Sequence, residues 1–126
     1  MIDVDYFKSI NDEYGHRTGD VVLKEISNII KSCLRKVDTV ARWGGEEFVV
    51  LLPRTKKEDS FVAAERILNT ISEYTFTGVK RQVTVSIGIA GIPDPSIDTA
   101  EKLVDASDVA MYEAKSSGRK RIVVTR

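Results

Sequence analysis

The sequence contains one cysteine, Cys33, and one histidine among its 126 residues. A single thiol can form neither an intrachain disulfide nor a zinc cage built from cysteines. A chain without disulfides is typical of a reducing compartment, so we expect a cytoplasmic setting.

The sequence also lacks an excess of either charge and any long apolar run. Lysine and arginine total 19 and aspartate and glutamate total 19, so the formal net charge is zero. This balance argues against a domain-wide basic field for nucleic acid, although a local phosphate site is compatible with it. No apolar run approaches the roughly 18 residues of a membrane span, and the first residues do not resemble a signal peptide.

What the chain does have is the size and composition of one globular domain. It is 42% hydrophobic and 30% charged, which is ordinary for a folded domain and too apolar for disorder. Because 126 residues leave no room for two independent cores, we expect one domain over residues 1–126.

Hydrophobic periodicity divides the chain into alternating elements in the order β-α-α-β-β-α-β-α-β. The most regular strand is predicted at 83–90, where valine and isoleucine alternate with small or polar residues. A β-hairpin is predicted from two β-rich runs, 39–43 and 48–52, that flank Gly44 and Gly45. A hairpin between two strand–helix crossovers is typical of an α+β, ferredoxin-like fold with helices packed on one sheet.

Capping residues predict where the helices begin and end. Asp20 is a candidate cap for the second helix, which is predicted to run to about Arg35. Asp59 or Ser60 is the candidate cap of the third. A capping box at 98–101 is predicted to open the last helix, which Gly118 can end.

Two acidic clusters are candidates for chemistry. Asp3 and Asp5 end the first strand, where period-two geometry places both on the same side, and Glu46 and Glu47 follow the glycine pair of the hairpin. If the first strand and the hairpin are neighbours, the clusters converge into a set of hard oxygen ligands that suits Mg²⁺ or Mn²⁺ better than zinc. The alternative is that these acids are solvated charges at strand ends and turns.

Four polar residues follow the first strand closely. Lys8 can neutralise a phosphate, and Asn11 with Asp20 can clamp guanine, because an amide offers a donor and an acceptor while a carboxylate accepts two guanine N–H groups. The alternatives stay open: Asp20 as a helix cap, Asn11 as a surface amide, and His16 as an ordinary loop residue.

Four motifs then occur in the order found in GGDEF domains, and they span essentially the whole chain. The chain resembles that family in its GGEEF form, which implies a nucleotidyl-cyclase-type, mostly antiparallel sheet whose hairpin bears GGEEF. The motifs are DVDYFKSIND at 3–12 with Gly15-His16 and Gly19-Asp20, GGEEF at 44–48, VTVSIGIA at 83–90, and DVAMYEAKSSGR at 108–119.

The resemblance implies a diguanylate cyclase that condenses two GTP into cyclic di-GMP and two pyrophosphates with Mg²⁺ or Mn²⁺. It makes Glu46 and Glu47 the catalytic acids and places the metal on Asp3, the Val4 carbonyl and both glutamates, while Asp5 is not assigned a metal. Because one domain holds one GTP, a two-fold homodimer is expected. The residues that the resemblance places at the nucleotide are Phe7, Lys8, Asn11, His16, Asp20, Gly44, Gly45, Lys115 and Arg119.

A second site is implied by an R-x-x-D segment, Arg35 to Asp38, shortly before the hairpin glycines. It resembles the family's inhibitory site for the product cyclic di-GMP, with Arg66 as a secondary arginine. An arginine fork can grip phosphate or the guanine Hoogsteen edge, and an aspartate can accept from the Watson–Crick edge.

Compared with the family pattern, the chain begins almost inside the first motif, without the usual preceding helix and the start of the first strand. We expect a sensory domain in the parent protein, which can be membrane-anchored.

Two other functions stay open. One is a catalytically silent module that binds GTP or cyclic di-GMP. The other is a different nucleotidyl cyclase or polymerase-palm relative, which would not predict Asn11 with Asp20 and the R-x-x-D segment.

Overall fold

A five-stranded sheet with four α-helices organises the chain. The computed structural model describes residues 1–126, and the predicted element order is confirmed. None of the helices is long and apolar enough to cross a membrane. The elements are β1 Ile2–Val4, α1 Phe7–Tyr14, α2 His16–Ser32, β2 Thr39–Arg42, β3 Glu47–Leu51, α3 Lys57–Glu73, β4 Val85–Ile89, α4 Ala100–Ser116 and β5 Ile122–Val124.

The strand order is β2-β3-β1-β4-β5, with β1 at the centre. β1 is antiparallel to both β3 and β4, β2 and β3 form the predicted hairpin, and only β4 and β5 are parallel. The prediction of an α+β fold with a mostly antiparallel sheet is therefore confirmed. The register opposes Asp3 to Glu47 on one side and to Ser86 on the other.

One face of the sheet carries the main hydrophobic core. Ile2 and Val4 of β1 are 2% and 1% exposed and join a buried cluster of 19 residues. Apolar positions spaced three and four apart give α2 and α3 one buried stripe each, because that spacing returns to the same side of a helix. The stripes contribute Val22, Ile26, Ile29, Ile30, Ala64, Ile67 and Ile71.

The opposite face holds Asp3, Asp5 and Ser86 because side chains alternate along a strand. α4 packs on this face at Gly88, where a Cβ atom would lie 2.2 Å from the backbone nitrogen of Met111. Only glycine allows this close approach. The contact brings the end of α4 to the acidic residues of β1.

The predicted start of α2 is wrong. Gly15, with a φ of 91°, is the N-cap, so α2 begins at His16 and Asp20 lies inside the helix. A positive φ lets the chain leave α1 and enter α2 with no intervening loop, so no side-chain cap is needed. α2 also ends at Ser32, earlier than the predicted Arg35.

The predicted N-cap is wrong for α3 and one residue too early for α4. α3 begins at Lys57 after an extended Lys56 with no side-chain cap, so neither Asp59 nor Ser60 is the N-cap. Asp59 still lies in the first turn, where a negative charge favours the helix dipole. The N-cap of α4 is Thr99, one residue after the start of the predicted capping box, and its side chain accepts a hydrogen bond from the Lys102 nitrogen at 3.1 Å.

Candidate active site

The two acidic clusters meet at the end of β1. Asp3 pairs in register with Glu47, and the Val4 nitrogen donates to the Glu46 carbonyl at 3.1 Å. The glutamates therefore follow a turn that is bonded directly to the strand carrying Asp3. This is the juxtaposition that the sequence predicted on condition that strand and hairpin were neighbours.

Arg42 shapes the GGEEF turn, a role that sequence reasoning missed. Its Nε donates to the carbonyls of Gly44 and Gly45 at 3.2 and 3.0 Å, and its Nη2 donates to the Gly45 carbonyl at 2.7 Å. The Glu47 carboxylate lies over Gly44, since a Cβ atom there would be 3.0 Å from Glu47 Oε2. The glycine thus leaves room for the acid beside the turn.

Asp3 is electrostatically unusual. Burial raises the pKa of its carboxyl group from 3.8 to about 6, with a smaller upward contribution from the nearby charges of Glu46 and Glu47, while Lys115 opposes the shift. Lys115 Nζ lies 2.8 Å from Asp3 Oδ1 and forms an ion pair with this oxygen. The ionised form of Asp3 is therefore disfavoured mainly because its carboxyl group is buried.

The donor set fits Mg²⁺ or Mn²⁺. Asp3, Glu46, Glu47 and the Val4 carbonyl supply only hard oxygens, which these ions prefer. The side chains do not form a closed three-residue metal cage. A divalent cation at these oxygens would favour the ionised form of Asp3.

Asp5 differs from Asp3 in that its carboxylate is held by several hydrogen bonds within the protein. Its side chain is fully buried and accepts hydrogen bonds from Thr84 Oγ1 at 2.7 Å, Ser86 Oγ at 2.6 Å and the Lys120 nitrogen at 3.1 Å. Lys115 Nζ lies a further 3.5 Å away. A carboxylate with both oxygens satisfied has a structural role, which agrees with leaving Asp5 out of the metal set.

The guanine candidates lie on α1 and α2. Asn11 Oδ1 is buried without a hydrogen-bond partner and rests on Gly19, where a Cβ atom would be 1.8 Å from it. Asp20 and His16 are exposed on α2 and form no side-chain hydrogen bond, so each is free to meet a ligand. Sequence reasoning missed the part of Gly19, although a glycine inside a helical pattern was a usable signal.

The phosphate candidates come from both ends of the chain. Phe7 and Lys8 begin α1, with Phe7 half-buried beside Gly19 and Lys8 exposed. Lys115 closes α4 against Asp3, and Arg119 follows in the loop to β5. The structure therefore brings Lys115 directly to the acidic cluster.

The R-x-x-D residues are bonded to each other. Arg35 donates from Nε and Nη2 to the Asp38 carboxylate at 3.1 and 2.9 Å, and from Nη2 to the Pro53 carbonyl and Thr55 Oγ1. Hydrogen bonds from Arg35 hold the pKa of Asp38 below its ordinary value. Arg66 is exposed on α3 and forms no side-chain hydrogen bond or ion pair.

A separate apolar groove of about 310 Å³ lies between the sheet, α3 and α4. Val49, Leu51 and Leu103 are among its mostly apolar lining residues, and none of the predicted site residues lines it. The groove therefore has no part in the acidic site.

Comparisons with known proteins agree with this geometry. A family profile described as "Diguanylate cyclase, GGDEF domain" matches residues 1–121. Diguanylate cyclase A of Treponema denticola is 44% identical over 128 residues, covering 100% of this chain and 34% of that protein. Diguanylate cyclase DgcM of Escherichia coli K12 is 47% identical over 124 residues, covering 98% of this chain and 29% of that protein. The chain spans about a third of the length of these relatives.

Solved structures give the same result. The active GGEEF domain of a diguanylate cyclase from Vibrio cholerae superposes with a TM-score of 0.91 at 34% identity, covering 99% of this chain and 80% of that one. The GGDEF domain of DgcB from Caulobacter crescentus, in complex with c-di-GMP, gives 0.90 at 30% identity, covering 98% and 74%. By profile, sequence and fold, the chain belongs to the GGDEF family of diguanylate cyclase domains.

Proposed function

We propose that this domain is a diguanylate cyclase that condenses two GTP molecules into cyclic di-GMP and releases two pyrophosphates. The observation that carries the proposal is the juxtaposition of Asp3 with the hairpin glutamates: Asp3 pairs in register with Glu47, and the Val4 nitrogen donates to the Glu46 carbonyl. Such a cluster of acids is stabilised by the divalent cation that nucleotidyl transfer requires.

In each of two steps, the 3′-hydroxyl of one GTP attacks the α-phosphorus of the other. One phosphodiester bond forms, one phosphoanhydride bond breaks, and pyrophosphate leaves. The hydroxyl proton passes to a carboxylate, for which Glu46 is the proposed acceptor and Glu47 the neighbouring acid. A divalent cation held by Asp3, Glu46, Glu47 and the Val4 carbonyl would neutralise the charge that develops on the phosphate oxygens.

The surrounding residues then bind and orient the nucleotide. Asn11 and Asp20 read the guanine edge, with His16 close by, and Gly44 and Gly45 let the backbone approach the nucleotide. Lys8, Lys115 and Arg119 hold the triphosphate near Phe7. The unpartnered Asn11 oxygen supports this assignment, since a buried acceptor without a donor is satisfied when a guanine N–H arrives.

Two domains must face each other, because each supplies one GTP. We therefore propose a two-fold homodimer as the active species. The relatives named above are about three times as long as this chain. We propose that the remainder of the parent protein senses the input signal and controls how the two domains meet.

Pyrophosphate release tests the activity. With Mg²⁺, the chain should release pyrophosphate from GTP and not from ATP, and Glu46→Gln should reduce the rate by about 100-fold or more. Glu65→Gln, an exposed glutamate of α3, is the matched control and should keep the rate. Equal use of ATP would favour another nucleotidyl cyclase, and binding of cyclic di-GMP without turnover would favour a silent module.

We further propose that Arg35, Asp38 and Arg66 bind cyclic di-GMP as an inhibitor. The Arg35 fork already grips a carboxylate in the bidentate manner that a phosphate can adopt. Arg35→Ala should abolish binding of cyclic di-GMP while leaving GTP turnover intact, and Arg35→Lys should bind weakly because it keeps the charge without the fork. Unchanged binding in Arg35→Ala, measured by calorimetry, would refute this site.

A further inference from the structure

Tyr6 and Arg119 form a stacked pair at the edge of the acidic site. Tyr6 joins β1 to α1, Arg119 joins α4 to β5, and the Arg119 guanidinium carbon lies 4.5 Å from the centre of the Tyr6 ring. Both residues have a positive φ, 54° and 62°, which is uncommon for side chains other than glycine. Each backbone thus adopts a costly conformation at the point where the two side chains meet.

Arg119 is a cation without an acidic partner. It forms no ion pair, and its buried Nε has no hydrogen-bond acceptor. Lys115, by contrast, is already paired with Asp3 and Asp5. The guanidinium of Arg119 therefore keeps its charge and its donors for an incoming anion.

Stacking suits this task because it fixes the plane of the guanidinium without using its N–H groups. An aromatic face attracts the cation through the ring quadrupole, and the donors at the guanidinium edge stay open to a planar or tetrahedral anion. A carboxylate partner would hold the arginine as firmly but would cancel the charge that phosphate needs.

Both sides of the stack are anchored to the fold. Arg81 Nη2 donates to the Tyr6 carbonyl at 3.4 Å, and Arg81 Nη1 donates to Ser9 Oγ at 2.9 Å. On the other side, the Lys120 nitrogen donates to the buried Asp5 carboxylate at 3.1 Å. The geometry is therefore set before a nucleotide arrives, which reduces the ordering cost of binding.

We propose that Tyr6 is a positioning residue that holds Arg119 in place for the phosphates of the nucleotide. The inference rests on the proposed function and adds to it a residue to which that function gives no role. Tyr6 is 61% exposed, so its ring contributes little to the core.

The test is the affinity for 3′-deoxy-GTP, which lacks the attacking hydroxyl and cannot condense, measured by calorimetry with Mg²⁺. Tyr6→Leu, which keeps an apolar side chain without a ring, should bind about 2- to 5-fold more weakly. Tyr6→Phe keeps the ring and should restore the wild-type affinity. Guanosine, which has no phosphates, should bind Tyr6→Leu and wild type equally.

Arg119→Ala completes a double-mutant cycle. Tyr6→Leu should add nothing in the Arg119→Ala background if the ring acts only through the guanidinium. Three outcomes would overturn this inference and leave the proposed function standing. Tyr6→Leu could bind 3′-deoxy-GTP as tightly as the wild type, it could bind guanosine more weakly, or it could weaken binding equally with and without Arg119. Failure of the folded wild type to bind 3′-deoxy-GTP would overturn the proposed function together with it.

Discussion

Replacing Gly19 by alanine should impair guanine binding while leaving the fold intact. A Cβ atom at this position would lie 1.8 Å from Asn11 Oδ1 and 3.1 Å from Phe7 Cζ. Because non-bonded atoms need about 3.5 Å, the Asn11 amide must move by about 1.7 Å. The amide is the end of a flexible side chain, so this movement costs little stability, and alanine gains up to about 1 kcal/mol of helix propensity.

The loss should therefore appear in binding. A displaced Asn11 forfeits its hydrogen bonds to the guanine edge, each with a net value of about 0.5–1.5 kcal/mol. Two such bonds amount to about 1–3 kcal/mol, which corresponds to roughly 5- to 150-fold in affinity. The preference for guanine over adenine should fall by a similar factor, because the same amide reads the difference between them.

Calorimetry with 3′-deoxy-GTP and 3′-deoxy-ATP measures both quantities. Gly19→Ala and Asn11→Ala should weaken guanine binding alike, and the double variant should be no worse than either, because both remove the same contact. The urea midpoint of Gly19→Ala should stay within about 1 kcal/mol of the wild type. Wild-type guanine affinity in Gly19→Ala, or additive losses in the double variant, would refute the assignment of Asn11.

Three further perturbations test the fold and the acidic cluster. Gly88→Ala should destabilise the protein by about 1–3 kcal/mol or more in urea unfolding, because its Cβ atom would meet the backbone of α4. Thr99→Ala should cost about 1 kcal/mol through loss of the α4 cap. Burial raises the pKa of Asp3 from 3.8 to about 6. The protonated Asp3 therefore contributes fully to the free energy of unfolding below pH 3.8, and this contribution is lost as the pH rises through 6. Over this pH range the free energy of unfolding of the metal-free wild type should fall by on the order of 1–2 kcal/mol relative to that of Asp3→Asn, after allowance for solvent screening. If the two proteins gave parallel curves of stability against pH, the raised pKa of Asp3 would be contradicted.

The element order could be predicted because burial of apolar surface decides it. The alternating residues at 83–90 and the helical stripe around Ile26 have one apolar side whatever their neighbours are. Helix starts were less predictable, because several residue types can serve each start. Asp20 is a good cap by type, but the positive φ of Gly15 begins the helix earlier and leaves Asp20 on its surface.

The acidic cluster could be predicted only in outline. Period-two geometry and the hairpin suggested that Asp3 and Glu47 were neighbours, and the register confirms it. The contact of Tyr6 with Arg119 could not be predicted, since the two residues come from opposite ends of the chain and meet only when α4 packs on the sheet.

Two buried polar atoms support the proposed function independently of any family resemblance. Asn11 Oδ1 and Arg119 Nε have no hydrogen-bond partner within the protein. A buried polar atom left without a partner costs about 1–3 kcal/mol in a folded protein, and a ligand can supply that partner. The two atoms require different chemistry, because the Asn11 oxygen needs a donor and the Arg119 nitrogen needs an acceptor. Under the proposed function, a guanine nucleotide offers both, through the N–H groups of its base and the oxygens of its phosphates.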